Sequence, residues 1–516
     1  MSKLKMEKNK YICIHGHFYQ PPRENPWLED IELQDSAYPF HDWNERISEE
    51  CYKTNTASRI LDGEGDIIRI VNNYSSISFN FGPTLLSWMK KHQPEIYQSI
   101  LDADKASVEK FNRHGSAIAQ AYNHMIMPLA NERDKYTQAY WGIKDFQERF
   151  ERYPEGMWLP ETAVNYDTLE ILAELGIKYT ILAPHQASRV KKIDKESQWQ
   201  EIREGNIDFR QPYLCNLPSG KSINIFFYNG ALAHEVSFGG LLRDGKKFAD
   251  SLLGNFSMDD QKPEIVHMAT DGETFGHHHR FGDMALSFCL NHIEKNQLAK
   301  ITNYGEYLEL HPPTYEAQIV DNTSWSCVHG IERWRNDNGC NTGMNPGWHQ
   351  KWRKPLRETM DWLRDKTINL FEEGASVYFQ DVWQARNEYI NVILNRNTEN
   401  IDNFFNQFAS HSLDREEKIK ALKYLEMQRN AMLMYTSCGW FFDEISGIET
   451  IQVMHYSARC MQLAKELHDI DLEPEYMERL SQAPSNVHRY KNGAKIYEKI
   501  VQPAVIDLLR VGAHYA

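Results

Sequence analysis

No run in this chain is long and apolar enough to span a membrane, which takes about 18 or more consecutive apolar residues. A basic excess is also missing. Lys+Arg number 57 against 72 Asp+Glu, a formal net charge of -15. Phosphate recognition wants a basic footprint, so no nucleic-acid partner is expected. Cysteine is sparse, 8 in 516 residues, with no CxxC pair and no regular framework. At this length that reads as reduced thiols of a cytoplasmic protein. The basic opening MSKLKMEKNK is followed by neither an adequate apolar stretch nor a small-residue cleavage site, so no signal peptide is expected. There is no internal repeat, no low-complexity tract and no HExxH zinc motif. No cofactor and no metal are expected, and the oligomeric state stays open.

Aromatics are abundant, with Trp 13, Tyr 26 and Phe 23. Most such rings fill cores, but some line clefts and stack on the apolar faces of polar ligands such as sugars. The length exceeds one ordinary domain. Apolar or β-rich runs that stop at a polar residue recur along the first part: YICIHGHF, SISFNFG, AIAQAYNH, GMWLPET, YTILAP, INIFFYNG and IVHMATDGE. Helical patterns follow several of them, including TLLSWMKKHQPEIYQSI, NERDKYTQAYWGIKDFQERF, NYDTLEILAELG and FGDMALSFCLNHIEKN. Buried strands alternating with helices predict a parallel sheet, a barrel or a doubly wound open sheet. Asn165 and Asp134 stand where a helix N-cap or first turn wants them. In a barrel, the strand-end residues His15, His17, Asn80, Asn123, His124, Glu161, His185, Asn229, Asp271 and Glu273 gather at one mouth. Residues 191–220 read as loop and β-excursion. After about Pro346 long amphipathic periods take over, the last being GAKIYEKIVQPAVIDLLRVG. The expected division is a barrel over 1–310, a Trp-, Cys- and Gly-rich segment over the cleft at 311–345, and a helical domain at 346–516.

The segments that carry chemistry follow. WLPETA puts Glu161 just beyond a strand and Pro160, beside Trp158; it is a nucleophile or general base at the mouth, or a helix-start carboxylate. TDGETF puts Asp271 and Glu273 two apart around Gly272. One of them faces the substrate and the other supports it or caps a helix. A carboxyl at the end of an apolar strand is desolvated and suited to donate a proton near neutral pH. The alternative is a structural Asp-Gly turn. His15 and His17 have a real ligand spacing on a strand. His277 and its two neighbours lie past the strand, where adjacent side chains diverge. Hydroxyl binding is therefore expected of them rather than a metal. HFYQPPRENPW forms a rigid wall presenting Gln20, Arg23 and Trp27. SWSCVHGIERWRNDNGC, residues 324–340, is too aromatic for a flexible spacer and is expected across the mouth. YTSCGWFFDE brings Trp440 and Asp443 into the helical part, as a tight helix contact or as one cleft wall.

Together HGHFYQPP, WLPETA, TDGETFGHH and YTSCGWFFDEISGIET resemble glycoside hydrolase family 57, in the expected order and over nearly the whole chain. The likeness is to members with an extended helical C-terminal part. It implies an α/β fold, a seven-stranded parallel (β/α)7 barrel followed by an α-helical C-terminal domain that completes the active site. It implies retaining chemistry on α-glycosidic bonds of an oligo- or polysaccharide, by hydrolysis or transfer. Glu161 matches the family nucleophile and Asp271 its acid/base. His15, His17, Gln20, His124, Trp158, Glu273, His277, Trp348, Trp440 and Asp443 are the candidate substrate-binding residues. At NHMIMPL the third strand departs from better-known members, which carry a carboxylate there. Other classes stay open on the residues alone: a zinc-dependent carbohydrate deacetylase or mannosidase-like enzyme using His15, His17, Asp271 and a loop histidine, and a non-catalytic carbohydrate-binding or regulatory protein or polysaccharide-assembly partner.

Overall fold

The structure is a computed structural model describing residues 9–194, 196–258 and 262–507. Each apolar run becomes a strand: β1 (Lys10–Phe18), β2 (Ser78–Phe81), β3 (Ala119–Gln120), β4 (Met157–Trp158), β5 (Tyr179–Leu182), β6 (Ser222–Phe227) and β7 (Glu264–Asp271). The side chains of β1 are buried almost throughout, on both faces. That is why these strands read as continuous apolar runs rather than alternating ones. β1 pairs in parallel with β7 on one side and β2 on the other. β3 pairs in parallel with β4, and β5 with β6. Single parallel bridges link Phe79 to Ala117 and Gly156 to Tyr179. Past β6, the Asn229 N–H donates to the His267 carbonyl of β7 at 3.0 Å.

Regular pairing nevertheless falls into small sheets rather than one seven-stranded sheet. β3 and β4 are two residues long, too short for an extended ladder. The largest sheet has six strands and is mixed. It joins β5 and β6 to Tyr213–Asn216, Tyr315–Ile319, Ala187–Lys192 and Gln200–Glu201, with antiparallel pairs among them. The 191–220 stretch thus supplies part of a sheet. A separate antiparallel pair joins Ser58–Leu61 to Ile67–Val71, with no counterpart in the sequence reading.

Helices follow the strands as patterned. Asn165 caps Tyr166–Glu174 by accepting from the Thr168 N–H at 3.0 Å. Asp134 lies in the first turn of Glu132–Phe150. The late helices are α1 (Arg353–Ala375), α2 (Arg415–Leu433) and α3 (Ile448–His468). The last expected helix is broken into Gly493–Ile496, a π turn at Tyr497–Val501 and Gln502–Ala504; its final residues lie outside those described.

Packing divides the chain into two compact units, the first built from 1–20, 33–122 and 146–325, the second from 21–32, 123–145 and 326–516. The sequence division kept 1–310 together. Two of its segments instead pack with the late helices through side chains. Arg23 pairs with Glu449 of α3 at 3.7 Å, and Trp27 donates from Nε1 to Gln462 of the same helix at 2.6 Å. Asp134 meets the Arg386 guanidinium at 2.7 Å, with both side chains almost wholly buried. Arg386 also donates to Thr137 and lies over the Trp383 ring. Among the described residues no helix is long and apolar enough to cross a membrane.

Removing one member of a buried ion pair strands the other charge, at about 3–5 kcal/mol. Asp134→Ala is therefore expected to lower the urea unfolding free energy by about that amount. A loss below about 1 kcal/mol would mean that Arg386 does not depend on this carboxylate.

Candidate active site

The site begins with strand register. His17 of β1 lies opposite Asp271 of β7 and opposite Asn80 of β2. Gln120 of β3 lies opposite Trp158 of β4. Neighbouring strands stand about 4.8 Å apart. The strands end together, so one row of polar and aromatic side chains crosses their C-terminal ends. Asn80 joins the halves of the row: its amide donates to Gln120 Oε1 at 2.8 Å and to His17 Nδ1 at 2.9 Å. Its carbonyl oxygen lies 3.1 Å from His15 Nε2, and His15 Nδ1 lies 3.0 Å from Ser78 Oγ.

If Asn80 donates to His17 Nδ1, the neutral ring carries its proton on Nε2. His15 then carries its proton on Nε2, facing the Asn80 carbonyl. Burial pushes both imidazoles down to about 3, helped at His15 by the neighbouring His17. Neutral imidazoles are what this buried row can tolerate. Trp158, fully buried, stacks on both rings at 4.9 Å.

Glu161 stands one turn past β4. Its backbone is left-handed at φ 57°, and Thr162 follows at φ 48°. Residues other than glycine adopt this conformation at a cost of about 1–2 kcal/mol each. Such strain persists only where surroundings impose it, and it gathers at functional sites. Here the Thr162 N–H donates to the Leu159 carbonyl, and Thr162 exchanges side-chain and carbonyl hydrogen bonds with Gln186. Thr323 bridges to Val164. That bridge carries Trp325 over the turn. The Trp325 backbone N–H reaches the Glu161 carbonyl at 3.0 Å, and its indole Nε1 donates to Glu161 Oε2 at 2.9 Å. The same indole meets Trp158 edge-on at 5.0 Å and Tyr228 at 6.4 Å.

Asp271 ends β7. Its side chain is open to solvent, yet protein surrounds it on most sides, so it occupies a recess. That surrounding, then the charges of Glu273 and Glu161, holds its carboxyl well above the usual carboxylate range. Glu161 is thus near enough to act on it electrostatically, and burial, then the Asp271 charge, raises the Tyr228 phenol. Glu273 goes elsewhere. The chain turns at Gly272, where a Cβ would stand 2.2 Å from the Phe18 ring. Glu273 is buried and accepts from Tyr52 Oη at 2.6 Å and the Tyr19 N–H at 2.9 Å, with Gln20 also on its carboxyl. Burial lifts it to about 7. It fixes the β1 and β7 ends to one another.

The other expected residues are placed as follows. His277 bonds Glu50 and lies edge-on to Trp43, while His279 donates to the Ser237 carbonyl. His277 and His279 part, but the expected divergence is incomplete, because the His278 ring stays 5.2 Å from that of His277. In the second unit, His124 is buried with Nδ1 2.6 Å from Ser437 Oγ. Trp440 is fully buried and donates to the Arg353 carbonyl, and Asp443 accepts from the Thr342 N–H and hydroxyl. Trp348 is half-buried. Trp325, Tyr228 and Gln120 were not among the expected ligand contacts. Trp325 had been grouped with the linking segment, and its cue was the short polar DNTS stretch that brings it back beside WLPETA. Among the described residues, one group of three potential metal ligands converges, Cys327, His329 and Cys340, in the second unit.

Residues 3–320 match glycosyl hydrolase family 57, and residues 348–516 match a domain of unknown function, DUF3536. The chain belongs to glycosyl hydrolase family 57, whose members act on glycosidic bonds. It is 23% identical over 242 residues to a 4-alpha-glucanotransferase of Thermococcus litoralis, 46% of this chain and 33% of that one. It is 26% identical over 107 residues to alpha-amylase 1 of Dictyoglomus thermophilum, 20% of this chain and 15% of that one. The chain thus spans a third or less of these curated relatives. In fold it resembles an exo-type maltose-forming amylase from Pyrococcus sp. ST04, with TM-score 0.69 and 16% identity over 98% of this chain and 94% of the other. A branching enzyme from Thermococcus kodakaraensis gives TM-score 0.54 and 14% identity, over 96% of this chain and 95% of the other.

A carboxyl whose pKa is higher folded than unfolded favours folding at low pH and loses that contribution as pH rises. Asp271→Asn should therefore raise the urea midpoint at neutral pH. The gain should disappear below about pH 3.9, the ordinary aspartate value. An equal midpoint shift at both pH values would contradict the elevated carboxyl.

Proposed function

We propose that the chain is a retaining glycosidase or glucanotransferase acting on α-glycosidic bonds of an oligo- or polysaccharide, with Glu161 as nucleophile and Asp271 as acid/base. The observation that carries this is the Asp271 carboxyl at the end of β7, held above the usual carboxylate range by its surroundings and by the charges of Glu273 and Glu161. Support for the substrate class comes from the curated relatives, an amylase and a glucanotransferase. The seven parallel segments, linked by short ladders and single bridges, are read here as a (β/α)7 barrel with interrupted pairing.

In the proposed first step a Glu161 oxygen attacks the anomeric carbon. The bond to the leaving oxygen breaks as Asp271 delivers its proton there. Retaining pairs stand about 5–5.5 Å apart, which lets one carboxyl bond carbon while the other reaches the leaving group. Trp325 Nε1 donates to Glu161 Oε2 and holds the carboxylate in place. Ester formation removes the Glu161 charge. The repulsion on Asp271 falls with it, and its carboxylate becomes the base that takes a proton from water. That water attacks the same carbon and releases Glu161. A sugar hydroxyl in place of water makes the reaction a transfer. His15, His17, Gln20, Glu273 and His277 are proposed to shape and orient the sugar site, directly or through the hydrogen-bonded row. His124, Trp348, Trp440 and Asp443 stay proposed substrate contacts. A zinc-dependent reading is less well supported, because both His15 ring nitrogens already face Ser78 and Asn80.

The test is a panel of α-linked oligosaccharides with products resolved by mass and anomeric configuration. The first product should be the α-anomer. Asp271→Asn should lower kcat by about 10²–10⁴-fold, and Glu161→Gln should abolish turnover while retaining binding. A β-anomeric first product, or full activity in Glu161→Gln, would overturn the assignment.

A further inference from the structure

We propose that Cys327, His329 and Cys340 form a binding site for a divalent metal of the zinc class, independent of the glycosidic site. The donor atoms lie within 4.8 Å of one another. Cys327 Sγ is 3.3 Å from Cys340 Sγ, and Cys340 Sγ is 3.5 Å from His329 Nδ1. Zinc bonds of about 2.3 Å to sulfur and about 2.0–2.1 Å to nitrogen make tetrahedral edges of roughly 3.7 and 3.5 Å. The observed triangle is close to one face of that tetrahedron. Two thiolates and an imidazole select a soft or borderline cation over magnesium or calcium.

The loop around the triangle is built to hold it. Arg333, buried, donates from one Nη to the Ser326 carbonyl at 3.1 Å and from the other to the Asn341 carbonyl at 2.9 Å. Those carbonyls flank Cys327 and Cys340, so one guanidinium brackets both sulfur ligands from outside. Arg353, the first residue of α1, donates to the Cys340 carbonyl at 2.8 Å. Asn338 lies between the sulfurs' segments: its amide donates to Cys327 Sγ at 3.3 Å, and its oxygen accepts from the Cys340 N–H at 3.1 Å. Such outer contacts orient ligands and typically matter 10–100-fold in metal affinity. Ile331 and Trp334 bury the loop's apolar side. Cys327 is buried whereas His329 is exposed, so the fourth position opens toward solvent on the imidazole side. The metal would close the 327–340 loop on itself and keep one exchangeable position, while Arg353 ties the loop to α1.

The full-length chain, purified without a histidine tag, should carry about one zinc per chain by mass spectrometry of the metal. Cobalt(II) exchange should give the visible and thiolate charge-transfer bands of a tetrahedral site. Cys340→Ser should lose metal and bands, and Cys438→Ser should keep both. If Cys340→Ser fails to fold, His329→Ala, at an exposed position, reads the same loss. A chelator should lower the Tm of the wild type and leave that of His329→Ala unchanged. Absence of zinc after reconstitution with zinc chloride, a Cys327–Cys340 disulfide in freshly purified protein, or undiminished metal in His329→Ala would overturn the proposal.

Discussion

A carboxyl group with protein on most sides and two other carboxyls nearby gives up its proton reluctantly, and the surroundings of Asp271 follow from that constraint. Each flanking acid needs its own support. Glu273 has the Tyr52 hydroxyl and the Tyr19 amide, and is buried away from solvent. Glu161 has the Trp325 indole and a backbone held left-handed. Without such anchors like charges would separate. With them the repulsion is stored in Asp271, the most open of the three acids.

The same economy explains why the histidines of β1 are neutral. A charged imidazole beside Asp271 would lower its pKa and cancel the effect of Glu161. Burial under Trp158 keeps His15 and His17 uncharged, outweighing the Asn80 hydrogen bonds, which favour the charged form. They serve as oriented dipoles. A row of amides and neutral rings along strand ends leaves the charge of the neighbouring acid undisturbed.

Much of this was legible in the sequence. YICIHGHF and IVHMATDGE declared buried strands through uninterrupted apolar text, and their ends named His17 and Asp271. Asn165 announced its helix by position alone. The separate partners of His277 and His279 followed from their place beyond a strand, whereas the contact of His277 with His278 did not. The split between Asp271 and Glu273 was foreseen as a division of labour, but which one faced outward depended on Phe18 crowding Gly272, a contact made across strands. Trp325 was hidden for the same reason: a bridge between Thr323 and Val164 sets its place, and no local pattern encodes it. The brevity of β3 and β4 was also out of reach, because AIAQAYNH and GMWLPET read as longer strands than the ladders they form. Segments 21–32 and 123–145 joined the helical unit through individual side chains such as Asp134, a long-range pairing that composition does not reveal. Cysteines at positions 327 and 340 looked unrelated because Arg333, not their spacing, brings them together.

The central claim is that Glu161 and Asp271 share one electrostatic environment. Isotope-edited infrared or carbon NMR titration of the Asp271 carboxyl, in the wild type and in Glu161→Gln, reads that coupling without substrate. The pKa of Asp271 should fall when the Glu161 charge is removed, while staying above the ordinary aspartate value because the surrounding protein and Glu273 remain. An Asp271 titration identical in the two proteins would show that the acids do not sense each other, and would contradict the account.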